Sequence, residues 1–130
     1  MFTKTTRAIT ITAIPQFLPE QSDAEASHYV WAYTIIIENH GHDTVQLLNR
    51  HWRITDGNGL LQEVHGAGVV GEQPVFSAGN VFRYSSGTAL STPSGIMVGT
   101  YQMTTSTGDM FYVDIPAFSL DSPYQITRLH

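Results

Sequence analysis

Apolar and polar side chains alternate with period two through most of this chain, the pattern of strands that bury one face. Between His28 and Asn39, Tyr29, Trp31, Tyr33, Ile35 and Ile37 share one face while Val30, Ala32, Thr34 and Ile36 take the other, which predicts a central strand. Thr6 to Ile14 alternates in the same way and is expected to stop at Pro15. Gln16 to Ser27 follows as an acidic, poorly patterned loop, expected to be mobile. After a turn through His40-Gly41-His42-Asp43 the segment Thr44 to Thr55 switches parity. Val45 and Leu47 fall on one side and Leu48, Trp52 and Ile54 on the other, so a twist or bulge is expected near Asn49.

Asp56-Gly57-Asn58-Gly59 is a tight-turn sequence, since Gly and Asn tolerate the positive φ of hairpin turns, and it predicts a hairpin joining Trp52 to Val64. Val75 and Phe76 lead through a turn at Ser77-Ala78-Gly79-Asn80 into a strand from Val81 to Ser86, with Ser86 to Gly95 reading as a loop. Ile96 to Thr105 and Asp109 to Phe118 pair across Ser106-Thr107-Gly108, with Met97, Tyr101, Met103, Phe111, Val113 and Ile115 facing inward. Pro116 belongs at a strand end or edge, where its missing N–H does no harm. About seven strands without helical periodicity imply an all-β fold of two packed antiparallel sheets, an immunoglobulin or fibronectin type III-like sandwich with Trp31 in its core.

The length of 130 residues suits one domain spanning 1–130. Charged residues are only 13% of the chain, so solubility falls to Thr, Ser, Gln and Asn on the exposed strand faces. A net charge of -5 opposes nucleic-acid binding, which needs a cluster of Lys and Arg to displace counterions. With no cysteine there are no disulfides or thiolate metal sites, and the cytoplasm is the expected compartment. No basic-then-apolar leader opens the chain, and its longest apolar stretch, around Tyr29 to Ile37, is too short to span a bilayer.

Gly66, Gly68 and Gly71 have the spacing of a phosphate loop, yet Pro74 and another extended pattern follow where a helix would be required. Four blocks carry a resemblance: Arg50-His51-Trp52-Arg53-Ile54-Thr55-Asp56, the glycine segment with Val69-Val70-Gly71-Glu72-Gln73-Pro74, Leu90-Ser91-Thr92-Pro93-Ser94-Gly95, and Ile115-Pro116-Ala117-Phe118-Ser119-Leu120. In that order, over nearly the whole chain, they closely resemble the bacterial ApaG family, also called CorD. The resemblance implies a fibronectin type III-like sandwich. It also implies a name-level link to cobalt and magnesium handling, and a gene-neighbourhood link to a diadenosine tetraphosphate hydrolase. Eukaryotic relatives appended to F-box proteins and to a DNA polymerase-interacting protein imply an interaction module.

Three kinds of site follow. The loop at Gly66, Gly68 and Gly71 would bind an anion, pyrophosphate or a dinucleoside polyphosphate, if its N–H groups formed a concave nest; the alternative is that the glycines bend a connector crossing between sheets. His40 and His42, beside Asp43, would offer imidazole and carboxylate to a divalent cation, with His28, His51 and His65 candidates by residue type; the alternative is surface turn histidines without metal. Arg50, Trp52 and Arg53 would form a protein contact surface, aromatic and arginine side chains being common anchors, unless Trp52 is core. No nucleophile elbow surrounds Ser91 or Ser94, and no catalytic residues or cofactor are expected. The chain reads as a non-catalytic adaptor that presents loops or a sheet edge to a protein partner, with a homodimer as a corollary.

Overall fold

The computed structural model describes residues 1–124. Among these residues nine strands form two antiparallel sheets: β1 Phe2–Thr6, β2 Ile9–Phe17, β3 Tyr29–Asn39, β4 Val45–Asp56, β5 Leu61–Ala67, β6 Val75–Phe76, β7 Val81–Leu90, β8 Gly95–Thr105 and β9 Met110–Leu120. The first sheet has the order β1-β2-β3-β7 and the second β5-β4-β8-β9, with β6 paired to the start of β4. This is the predicted two-layer sandwich, with more strands than the sequence pattern resolved.

The core lies between the layers. Trp31, Ile35 and Ile37 from β3 meet Leu47 and Trp52 from β4, Met97, Tyr101 and Met103 from β8, and Val113, Ile115 and Phe118 from β9, all buried. Tyr33 and Phe118 each approach Trp52 edge-on, with ring centroids 5.5 and 5.9 Å away. The Trp31 indole N–H, which would be unsatisfied among these apolar neighbours, donates to the Asp121 carbonyl at 2.8 Å.

Four boundaries differ from the sequence reading, each for a local reason. The N-terminal segment is a hairpin of β1 and β2 turning at Arg7 and Ala8, both at positive φ, not one strand from Thr6. β2 runs through Pro15 to Phe17 because β1 ends opposite Ala13, so at Pro15 the outer side of the strand has no neighbour that needs an N–H. The segment after it is hydrogen-bonded, with a 3-10 turn at Pro19–Gln21, Ser22 Oγ donating to Leu18 O at 2.8 Å, and Asp23 and His28 exchanging backbone bonds. β7 does not end at Ser86: Gly87 and its small neighbours continue against β3 to Leu90, and the loop shrinks to Ser91–Ser94.

The expected bulge is present. The β4–β8 register slips between Leu47 and Asn49, and the extra residue Leu48 moves the buried positions from odd numbers to Trp52 and Ile54. Pro116 sits within β9, an edge strand, where the β8–β9 register shifts between Met97 and Gly99. Among the described residues no helix is long and apolar enough to cross a membrane.

Candidate functional site

The β4 bulge organises everything predicted around the glycines. Leu48 O, freed from the regular ladder, accepts Gly68 N–H at 2.8 Å and Gln73 Nε2 at 2.9 Å. Arg50 crosses to the same connector and donates to the carbonyls of Ala67 at 3.1 Å and Gly68 at 2.8 Å. Gly66 lies in β5 opposite Arg50, and a Cβ there would come within 2.7 Å of the guanidinium. Gly68, at φ +63°, passes so close to the Glu72 carbonyl that no side chain fits. Val69 and Glu72 then exchange two backbone bonds, at 2.8 and 2.9 Å, around Val70 and Gly71. Both central residues have positive φ, as in a primed hairpin turn.

The connector therefore bends, as one of the two sequence readings held, and opens no helix. It does not cross between sheets, however: it links β5 to β6, both of which pair with β4. The N–H groups of Gly68, Val69 and Glu72 are all engaged by backbone carbonyls, and the nearby guanidinium is engaged by two more.

Arg50, Trp52 and Arg53 do not form one patch. Trp52 is only 2% exposed, and strand alternation turns Arg53 to the opposite, solvent face, while Arg50 stays with the inner face near Tyr33 and Ser86. That proposed surface is corrected: its aromatic member is core. His40 pairs with Glu38 at 3.4 Å at the end of β3, and His42 is exposed in the following turn.

The outer face of the second sheet instead carries a depression of about 500 Å³. Asn49 and His51 of β4, His65 of β5, Thr100 and Gln102 of β8 and Tyr112 of β9 line it, brought together by the registers His51↔His65, His51↔Thr100, Asn49↔Gln102 and Gln102↔Tyr112. Asn49 Nδ2 donates to Gln102 Oε1 at 2.7 Å across its floor. At one margin the His51 and His65 rings stack with centroids 4.0 Å apart and planes 11° from parallel, both near the Glu63 carboxylate. Among the described residues, His51, Glu63 and His65 are the group whose donor atoms stand close enough to share a metal ion; His40 and His42 do not enter it. The sequence signal for this trio was the hairpin itself, since pairing centred on Asn58 puts His51 opposite His65.

Comparison with known proteins agrees with the sequence blocks. Residues 19–105 match the family model of the ApaG domain. Protein ApaG of Beijerinckia indica is 56% identical over 95% of each chain, and Protein ApaG of Paramagnetospirillum magneticum is 55% identical over 100% of each. The crystal structure of the ApaA protein from Bordetella pertussis superposes with a TM-score of 0.87 at 45% identity, covering 90% of this chain and 95% of that one. On the strength of a match in sequence over the whole length and in fold over 90% of it, the chain belongs to the ApaG family.

Proposed function

We propose that this chain acts by binding and not by catalysis, as an adaptor that accepts an extended segment of a protein partner along the free edge of β7. The observation that carries this reading is the character of that edge. β7 is ten residues long, pairs on one side with β3, and has no other strand beside it among the described residues. Unprotected edges invite a further strand, and proteins guard them with charge, proline, bulges or brevity. The other edges are guarded: β1 has five residues and Lys4, β9 has Asp114 and the irregularity at Pro116, and β5 has Glu63 and His65. β7 has Arg83 alone, with Ser85, Gly87 and Ala89 exposed. Main-chain pairing along such an edge supplies affinity, and alternate side chains supply selectivity.

A second copy of the chain would use the same edge, making a homodimer the competing occupant. A cytoplasmic setting accords with a chain that has no cysteine. The test replaces Ser85 and Ala89 together by Lys, on the solvent face of β7. Proteins captured from cells of the source organism by the wild-type chain should be lost from the double variant by about tenfold or more, while thermal stability moves by no more than about 0.5 kcal/mol. Equal capture by both proteins would sink the reading, and a fall in sedimentation coefficient on substitution would assign the edge to self-association.

A further inference from the structure

The outer face of the β4–β5 hairpin, on the sheet that does not contain β7, holds a cluster of three ionisable side chains. His51 faces His65 across the ladder, and Glu63 lies two residues along β5 on the same face. Its Oε2 is 3.5 Å from His51 Nε2 and 3.6 Å from His65 Nε2, and the three donors lie within 4.8 Å of one another.

An ordinary ion-pair cluster does not account for this geometry. Charge-assisted N–H···O bonds close to about 2.7–2.9 Å, well inside both separations. A tetrahedral cation with bonds of about 2.0–2.1 Å holds its donors about 3.4 Å apart, close to what is seen. Among the described residues His51 Nε2 has no hydrogen-bond partner and is shielded from solvent, an expensive state for a polar atom unless something occupies the space before it. Glu63 also has Arg53 as its cross-strand neighbour, yet among the described residues its carboxylate stands within 4.0 Å of the two imidazoles and not of the Arg53 guanidinium.

We propose that His51, Glu63 and His65 form a site for a divalent transition-metal ion of the zinc, cobalt or nickel kind. Two imidazoles and one carboxylate suit such borderline cations, whereas magnesium demands an oxygen shell and keeps its waters. Loading tilts the two rings out of their stack so that both Nε2 lone pairs converge on the ion beside Glu63. Three protein donors leave a coordination position for water or an anion, and that position adjoins the depression beside Asn49 and Gln102. Arg53 opposes the cation, but its exposed side chain is free to turn into solvent. The site differs in place from the sequence-based pair His40 and His42, and its test separates the two.

Untagged protein is titrated with cobalt(II) and followed by its visible ligand-field absorption, together with thermal melting. One equivalent should bind and raise the melting temperature, since an ion that binds only the folded chain stabilises it by mass action. His65→Ala and Glu63→Gln, both at exposed positions and expected to fold, should each weaken binding by at least about tenfold. The double variant His40→Ala, His42→Ala should bind as the wild type does, and excess magnesium should not displace the cobalt. Absence of the absorption band at millimolar cobalt, its survival in His65→Ala, or its loss in the His40, His42 variant would each overturn the assignment.

Discussion

A few buried polar side chains join elements that apolar packing alone would leave loosely set. Asn39, 1% exposed, donates from Nδ2 to Asp43 O at 2.8 Å and Phe76 O at 3.2 Å while its Oδ1 accepts Gly41 N–H at 3.0 Å, so one amide ties the β3–β4 crossing to β6. In the core the hydroxyls of Tyr84 and Tyr101 bond to each other from opposite sheets. Burial raises both phenols, and that of Tyr33, above the ordinary value of 10.0. The unfolded chain loses these protons near pH 10, while the folded chain keeps them until its higher values are reached. The stability they contribute is thus complete below about pH 10 and declines as pH rises above it. Thermal melts between pH 8 and 11 should show that decline, and it should be shallower in a Tyr84→Phe, Tyr101→Phe double variant. Tyr84→Phe alone strands a buried hydroxyl and should cost about 1–3 kcal/mol near neutral pH, with the double variant less destabilised than the two singles added together. A double variant as pH-sensitive as the parent would remove the phenols from the explanation.

Among the elements, the β5–β6 connector is the one whose backbone departs most from ordinary conformations. Val70, β-branched and 55% exposed, holds φ 43° at a turn position that suits Asn or Gly. Val70→Asn should therefore stabilise the chain by about 1 kcal/mol, and Gly68→Ala, which drives a methyl group into the Glu72 carbonyl at φ +63°, should destabilise it by more than about 2 kcal/mol. Urea midpoints of the two variants should move in opposite directions; a shift of the same sign in both would mean the strain lies elsewhere. Strands with a strict two-residue period were legible in the sequence, β3 above all, and so were the β4 bulge, betrayed by its parity switch, and the hairpin turn at Asp56–Gly59. The ends of β2 and β7 were not. A proline or a glycine signals a break locally, and only the neighbouring strands decide whether its missing N–H or side chain matters there. The same limit hid the site: His51 lies twelve residues before Glu63 in the sequence and only hairpin register sets it beside Glu63 and His65, whereas His40 and His42 are one residue apart but fall just past a strand end and in a turn.

At the scale of the whole sandwich, the described residues close one side and leave the other open. Where β1 and β9 meet, Lys4 pairs with Asp114 at 3.2 Å, Thr6 Oγ1 accepts Asp114 N–H at 3.3 Å, and Phe2 lies 6.2 Å from Phe118. Along the opposite side β7 and β5 diverge around a cleft of about 300 Å³ lined by Ser86, Gly87 and Thr88 from one and Gln62 and Val64 from the other. The edges of the second sheet are consequently unequal. β9 buries Phe111, Val113, Ile115, Phe118 and Leu120, while no residue of β5 is fully buried. Local opening is governed by how much apolar contact a segment must give up, so the two edges should differ in stability although each pairs with a single strand. Amide hydrogen exchange read strand by strand should be fast in β5, slower in β9 and slowest in β3, β4 and β8, which have neighbours on both sides. Cobalt should slow β5 selectively, because two of the three proposed donors lie on it and the third pins it to β4. Exchange in β5 as slow as in β9 without metal would contradict the unequal-edge account, and an unchanged β5 rate with cobalt bound would place the ion somewhere else on the molecule.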